Sequence, residues 1–214
     1  MADRMKLRIV TGMAFLMAQG SAQAKPLTPD IELGDTVASV ASLPTAFDCS
    51  AMFDEQLTYC LDKQRLFGLD AELLVIRFDN QHVAEVQWQI PLTLSNYNTV
   101  LNGLRRDGYS FVYLKVHDEK LDVLAGLQVL DSQTLDQQMF ALANQSDFTA
   151  QREYWLMDNR TFQNAYRKGI ADVEAWLASG QSQDGLGDER QVIFQVDSDM
   201  ITLTYRYPFA QPTE

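Results

Sequence analysis

The chain has 214 residues, of which 46% are hydrophobic, and its 29 acidic and 17 basic side chains give a formal net charge of −12 at pH 7. This length is enough for one domain with a hydrophobic core. An acidic surface repels nucleic-acid phosphates and anionic lipid headgroups, so nucleic acid is excluded as an expected partner. A cationic protein partner fits the charge, and solubility alone is an equally simple explanation.

The first 24 residues have the pattern of a bacterial-type secretory signal peptide. Three basic residues within positions 4–8 precede an apolar run at 9–17 and the small-residue sequence Ala22-Gln23-Ala24. The apolar run is shorter than the about 20 residues of a membrane span. We therefore expect cleavage after Ala24, a periplasmic protein of a Gram-negative bacterium, and no stable membrane insertion. The alternative is a helix of an intracellular domain.

Cleavage would make the protein more acidic. It removes three of the 17 basic residues and one of the 29 acidic residues, which leaves 14 and 28 and a net charge of −14.

Cys49 and Cys60 are the only cysteines. In an oxidising compartment they are expected to form a disulfide, and chain entropy assigns such a loop about 3 kcal/mol. One continuous helix would separate their Cα atoms by roughly 16 Å, beyond the ~7 Å that a disulfide allows. The segment must therefore fold back, with Ser50 at the start of a short helix and residues 56–61 extended. The alternative is a single helix with two free thiols.

Residues 25–46 lack a helical apolar stripe and are predicted to form a partly extended arm, with ordered structure beginning near Phe47. The expected organisation is a signal peptide at 1–24, the arm at 25–46 and a single α+β domain at 47–214.

Two β-rich runs at 71–78 and 83–90 predict a hairpin that turns at residues 79–82. A helix of about three turns is predicted next, with Ser95 as its cap and Gly108 just past its end. Its apolar residues follow the helical period and are Tyr97, Val100, Leu101 and Leu104.

The second half of the chain continues this alternation. Runs at 109–116 and 121–129 predict a second hairpin, although the leucines of the second run also fit a helix. A short helix should begin at Asp131 or Ser132, followed by a strand at 152–157. The remaining predicted elements are an unbroken helix from Asp158 or Thr161 to Gly180, an acidic loop at 181–189, and a terminal hairpin of 190–196 with 200–207.

These elements predict an α+β fold. We expect a mainly antiparallel sheet built from hairpins, with about three to four helices packed on one face.

The sequence contains no Gly-x-Ser-x-Gly or Ser-x-x-Lys nucleophile motif and no phosphate-binding loop, so no catalytic residue and no cofactor is expected. Both histidines fall in predicted hairpin turns. If the two turns met at one sheet edge, they would form a polar cluster able to hold a metal or transfer protons. The simpler interpretation is that turns collect polar residues, and no metal is expected. The candidate cluster is Asp79, His82, His117, Asp118 and Glu119.

Several aromatic residues are candidates for a protein interface, because tyrosine and tryptophan are enriched at interfaces. The alternative is packing in the core or on an edge strand. The candidates are Tyr154, Trp155, Tyr205, Tyr207 and Phe209.

The function expected from the sequence is binding rather than catalysis. An exported acidic protein of this size would engage another envelope protein, expected to be cationic, as an inhibitor, immunity factor or assembly partner. Two alternatives remain: a periplasmic hydrolase that uses dispersed carboxylates with His82 or His117, and a carrier that holds a small ligand in a sheet-lined pocket.

Overall fold

The structure is a computed structural model that describes residues 31–180, 189–206 and 208. The predicted signal peptide, most of the predicted acidic loop, Tyr207 and Phe209 lie outside these residues. The strands are β1 (Ala46–Asp48), β2 (Thr58–Leu61), β3 (Arg65–Leu66), β4 (Leu69–Asp70), β5 (Leu73–Asp79), β6 (His82–Pro91), β7 (Tyr109–Val116), β8 (Glu119–Asp122), β9 (Arg152–Asp158), β10 (Gln191–Asp197) and β11 (Met200–Arg206).

Six α-helices accompany these strands in the described part of the chain, together with a 3₁₀ turn at Ser50–Met52. The helices are α1 (Val37–Ala41), α2 (Leu94–Arg106), α3 (Val123–Val129), α4 (Ser132–Ala143), α5 (Asn159–Arg167) and α6 (Val173–Gly180). No helix among the described residues is long and apolar enough to span a membrane.

Nine strands form one antiparallel sheet in the order β1-β2-β5-β6-β11-β10-β9-β7-β8, and β3 pairs with β4 separately. The predicted combination of a large antiparallel sheet with helices is therefore confirmed.

One face of this sheet carries the main core, which α2 and α4 cover. A row of buried side chains crosses six strands on this face, and each member lies opposite the next in the strand register. The Tyr97 ring of α2 packs edge-on against Phe194 of β10, with ring centroids 5.5 Å apart. The row consists of Leu74, Trp88, Leu203, Phe194, Tyr154 and Leu114.

The opposite face has a smaller core of its own, so the prediction that helices pack on one face is wrong. Val112 of β7 and Met157 of β9 are buried there with Ala165 of α5 and Trp176 of α6. Successive side chains of a strand point to opposite faces, and the consecutive apolar residues of β9, Tyr154 to Met157, therefore need to be covered on both faces. This second cover also explains why there are more helices than predicted.

Helix α2 occupies the predicted segment, and Thr93 caps it instead of Ser95. The Thr93 hydroxyl accepts a hydrogen bond from the Asn96 amide at 3.0 Å. Gly108 follows the helix with φ of 86°, a left-handed conformation that favours glycine.

The run at 121–129 is a helix for most of its length, so its prediction as a strand is wrong. Strand β8 ends at Asp122, whose carboxylate accepts a hydrogen bond from the Ala125 amide at 3.0 Å and caps α3. The same carboxylate accepts from the Val173 amide at 2.8 Å. A strong N-cap at the second position of the run thus overrides the alternating pattern.

The predicted helix from residue 158 to Gly180 is broken into α5 and α6. Gly169 has φ of 68° and its amide donates to the Tyr166 carbonyl at 3.0 Å, which ends α5. Asp172 then caps α6 by accepting from the Ala175 amide at 2.6 Å.

Packed structure begins before Phe47, so the predicted start of order is too late. Ile31 and Val40 are only 1% exposed and belong to the main core. The Gly34 amide donates to the Val83 carbonyl, and the Val83 amide donates to the Asp35 carbonyl, each at 2.8 Å. These long-range contacts with β6 order a segment that has no helical stripe of its own.

Candidate binding surfaces

The two histidines lie at opposite ends of the sheet, so the predicted polar cluster does not form. Strands β6 and β7 run in the same direction with three strands between them, and His82 begins β6 whereas His117 follows the end of β7. Asp79 stays beside His82, and Asp118 and Glu119 stay beside His117. Within the described ranges, no group of three or more His, Cys, Asp or Glu residues could hold a metal.

Two of the predicted interface residues belong to the core. Tyr154 is 2% exposed and stacks on Phe194 with ring centroids 5.5 Å apart, and Tyr205 is 6% exposed against Tyr109. Trp155 is half-buried, and its indole N–H donates to Glu153 at 2.6 Å. For Tyr154 and Tyr205, packing in the core is therefore the correct interpretation.

The predicted disulfide is present between Cys49, directly after β1, and Cys60 in β2. Their Cα atoms lie 5.9 Å apart, and both side chains are buried over Val75. The chain folds back through the 3₁₀ turn that Ser50 begins, so the alternative of one helix with free thiols is excluded.

Residues 46–62 form what we call the disulfide edge, because β1 is the first strand in the sheet order. The Ser50 hydroxyl organises it by donating to Asp48 at 2.6 Å and accepting from the Thr58 amide at 3.1 Å. Asp54 and Glu55 have φ of 53° and 60°, left-handed conformations that side-chain-bearing residues adopt rarely. Such conformations persist where the surrounding structure imposes them.

The disulfide edge combines exposed apolar side chains with negative charge. Phe47, Met52 and Leu57 are 40%, 66% and 36% exposed. Residues 46–62 contain four carboxylates and no basic side chain. Hydrogen bonds from the hydroxyl and the amide of Ser50 lower the pKa of Asp48, so this carboxyl group is ionised at neutral pH. The exposed acidic residues are Asp48, Asp54, Glu55 and Asp62.

A second feature is an open groove of about 490 Å³ between α2 and α4, on the main-core face. We call it the α2–α4 groove. Leu94 and Phe140 stand at its rim and are 55% and 72% exposed. Its walls are mostly apolar and include Leu101, Phe111, Met139 and Phe148.

The floor of the α2–α4 groove contains Arg152, which is 3% exposed. Its Nη1 donates to the hydroxyl oxygens of Tyr97 and Tyr154, at 3.2 Å each, and to the Ala143 carbonyl at 3.2 Å. Its Nε donates to the Ala150 carbonyl at 3.1 Å, and its Nη2 to the carbonyls of Ser146 and Asp147. All these acceptors are neutral, and no carboxylate in the described part of the chain pairs with Arg152.

The floor also holds hydroxyl groups with unused hydrogen-bonding capacity. The hydroxyl oxygens of Tyr97 and Tyr154 lie 3.3 Å apart, a contact that uses one of their two hydrogens. The Ser146 hydroxyl oxygen is buried without a partner among the described residues. Burial raises the pKa of Tyr154, so its hydroxyl stays protonated at neutral pH.

Burial opposes the charge of Arg152, but the phenol oxygens of Tyr154 and Tyr97 hold its pKa above the ordinary value. The guanidinium group is therefore charged as well as buried.

The opposite face of the sheet carries a polar opening of about 460 Å³ beside His117. Glu153 is held there by hydrogen bonds from Trp155 at 2.6 Å and from the Gln195 amide at 2.8 Å. Thr202 and Gln195 continue this polar row across the sheet. Polar side chains on a solvated part of an antiparallel sheet need no functional explanation.

The sequence interpretation missed Arg152 because it stood at the edge of a predicted strand. One signal was available: Arg152, Tyr154 and Leu156 alternate along β9, which places the arginine on the same face as two core residues.

Comparisons of the chain with protein-family models, with curated proteins and with solved structures gave no match. Its function therefore has to be argued from its own residues.

Proposed function

We propose that this chain is an exported, non-catalytic binding protein whose disulfide edge engages another protein of the bacterial envelope. The single observation that carries the proposal is the combination of three exposed apolar side chains with four carboxylates on one covalently held segment. The matching partner surface is an apolar pocket surrounded by lysine or arginine side chains, as on an envelope protein that is inhibited or assembled by this contact.

The disulfide supports affinity by preorganisation. A loop already held in one conformation loses less conformational entropy on binding than a flexible one. The Ser50 hydrogen bonds and the Cys49–Cys60 bond both restrict the segment that carries Met52 and Leu57.

The carboxylates support the rate and the specificity of association. Complementary charge accelerates the encounter of two proteins, and salt screens this effect with a Debye length of about 8 Å at physiological ionic strength. Apolar anchors at the centre of an interface usually supply most of the binding energy. Met52 is the most exposed of the large hydrophobic side chains of the disulfide edge and is the proposed anchor.

The proposed location is the periplasm, with cleavage after Ala24. The disulfide and the basic, apolar and small-residue pattern of residues 1–24 support this proposal. Mass spectrometry of the protein from a periplasmic fraction should find Lys25 as the first residue, and an intact Met1 on cytosolic material would contradict export.

The function is tested by capture from an envelope extract, with the mature protein as bait. A specific partner should be retained by the wild type and lost with Met52→Ser and Leu57→Ser combined. The matched control is Val129→Ser, since Val129 is an apolar side chain on α3 that is 80% exposed. Partner capture that survives the double substitution would exclude the disulfide edge as the contact.

Charge is tested separately with the purified partner. Asp54→Asn with Glu55→Gln should slow association and weaken its dependence on salt. Asp118→Asn with Glu119→Gln removes two exposed carboxylates, from the turn after β7 and from the start of β8, and should change neither the association rate nor its salt dependence. Association rates that are equally insensitive to salt in all three proteins would contradict a cationic partner.

A further inference from the structure

We propose that the α2–α4 groove binds a single-chain amphiphile with a carboxylate headgroup, such as a long-chain fatty acid. The headgroup would lie at Tyr97, Tyr154 and Arg152, and the hydrocarbon chain would follow the apolar wall towards Phe140 and Leu94. This site is independent of the disulfide edge and of the proposed protein partner.

Arg152 places a buried positive charge at the floor of the groove. A buried ion without a counter-ion is costly, and Arg152 is buried among neutral acceptors only. A ligand with one negative charge would supply the missing counter-ion. Arg105 and Asp136 also line the groove. Their opposite charges cancel, so together they add no net negative charge that could balance Arg152.

The floor of the groove has hydroxyl groups that can donate hydrogen bonds to a carboxylate. The five N–H groups of Arg152 are already engaged by carbonyl and phenol oxygens, so the guanidinium can act on a ligand through its charge. The free hydrogen of the tyrosine pair and the Ser146 hydroxyl remain as donors. Two hydroxyl donors match the two oxygens of one carboxylate.

The groove has the volume and the apolar walls that suit a hydrocarbon chain. A volume of about 490 Å³ lies within the range of roughly 300–1,000 Å³ that is usual for small-molecule sites. Leu101, Met139 and Phe148 line the groove, and Phe140 and Leu94 remain exposed at its rim. An aliphatic chain that extends from a headgroup at the polar floor towards the rim would cover these side chains. A short or fully polar anion would not.

The test is isothermal titration calorimetry of the mature protein with sodium dodecanoate below its micelle-forming concentration. Dodecanoate should bind at one site, and dodecanol should bind roughly 10- to 100-fold more weakly, because it lacks the charged acceptor. Lengthening the carboxylate from ten to twelve carbons should tighten binding by about fourfold per methylene.

Variants assign the binding to the groove. Tyr97→Phe with Tyr154→Phe keeps the aromatic packing, removes both hydroxyl groups and should weaken dodecanoate binding by roughly 10- to 100-fold. Tyr113→Phe removes a phenol from the other face of the sheet and should change nothing. Dodecanol binding as tightly as dodecanoate would overturn the proposal.

Unchanged affinity in the double variant would overturn it as well, and so would the absence of saturable dodecanoate binding by the wild type. The comparison of dodecanoate with dodecanol uses only the wild type, so it remains decisive if the double variant does not fold.

Discussion

The hydroxyl oxygens of Tyr97 and Tyr154 lie 3.3 Å apart, although 57 positions separate the two residues in the sequence. Arg152 Nη1 donates to both oxygens, and the same side chain donates to four carbonyls, one at the end of α4 and three in the connection from α4 to β9. One buried guanidinium thus joins α2, β9 and the connection that leads into β9. The floor of the α2–α4 groove therefore holds these elements together and is also a candidate binding site.

Arg152→Met should lower the free energy of unfolding by about 2–4 kcal/mol, because buried carbonyl and phenol oxygens would lose their charged donor. Methionine retains most of the apolar volume of the arginine stem, so the loss reports mainly on hydrogen bonding. Urea denaturation monitored by circular dichroism measures it. Arg152→Lys should give an intermediate loss, since lysine keeps the charge but has fewer donors.

The matched control is Arg105→Met, which removes an exposed arginine that lies over the Phe111 ring. A surface substitution of this kind should change stability by no more than about 0.5 kcal/mol. If Arg152→Met changed the free energy of unfolding as little as Arg105→Met, the guanidinium would not hold these elements together.

The disulfide should contribute about 3 kcal/mol to stability, because it closes a loop whose ends are 11 residues apart. The double substitution Cys49→Ala and Cys60→Ala should lower the free energy of unfolding by this amount, which appears as a lower urea midpoint. A reductant should produce a similar shift in the wild type and no shift in the double variant. An equal response of both proteins to the reductant would show that it acts elsewhere.

Local signals in the sequence account for much of the fold. Runs rich in β-branched and aromatic residues located β5, β6, β10 and β11, and the spacing of Tyr97, Val100 and Leu104 located α2. These segments were predictable because each has a local residue pattern and clear boundary residues.

The predictions from the sequence were wrong where a helix cap or a contact with a distant segment decides the conformation. Asp122 and Gly169 stop or start helices within runs whose apolar period alone looks continuous. The segment that carries Ile31 and Val40 is ordered by core packing and by hydrogen bonds of Gly34 and Asp35 with β6, which no local pattern encodes. The groove floor was unpredictable for the same reason, since it needs the relative position of α2 and β9.

Gly103→Ala should destabilise the protein although alanine favours helices by about 1 kcal/mol over glycine. A Cβ atom at Gly103 of α2 would overlap the ring of Phe67, which belongs to the turn between β3 and β4. Overpacking of this kind costs about 1–3 kcal/mol, so the net change in urea stability should be a loss.

Two variants test this explanation. Asn102→Ala places the same residue on the exposed side of α2 and should stabilise by a few tenths of a kcal/mol. Phe67→Leu should reduce the cost of Gly103→Ala, because a smaller side chain leaves room for the methyl group. Additive effects of Gly103→Ala and Phe67→Leu would locate the strain elsewhere.

Alkaline pH should unfold the protein through its buried phenols. Burial raises the pKa of Tyr109 to about 12, and burial also raises the pKa values of Tyr154 and Tyr205 above the ordinary value of 10.0. A group with a raised pKa contributes stability that is fully present below its unfolded pKa and is lost as the pH rises through its folded pKa. Stability should therefore fall between about pH 10 and pH 12. Phenolate absorbance should show the buried groups ionising only as circular dichroism reports unfolding.

Tyr109→Phe should make this fall less steep, because one phenol no longer couples ionisation to unfolding. Tyr166 is the matched control, since its side chain on α5 is 46% exposed, and Tyr166→Phe should leave the alkaline profile as it is. All eight tyrosines ionising together near pH 10, with the circular dichroism of the folded protein retained, would show that burial does not protect Tyr109, Tyr154 and Tyr205.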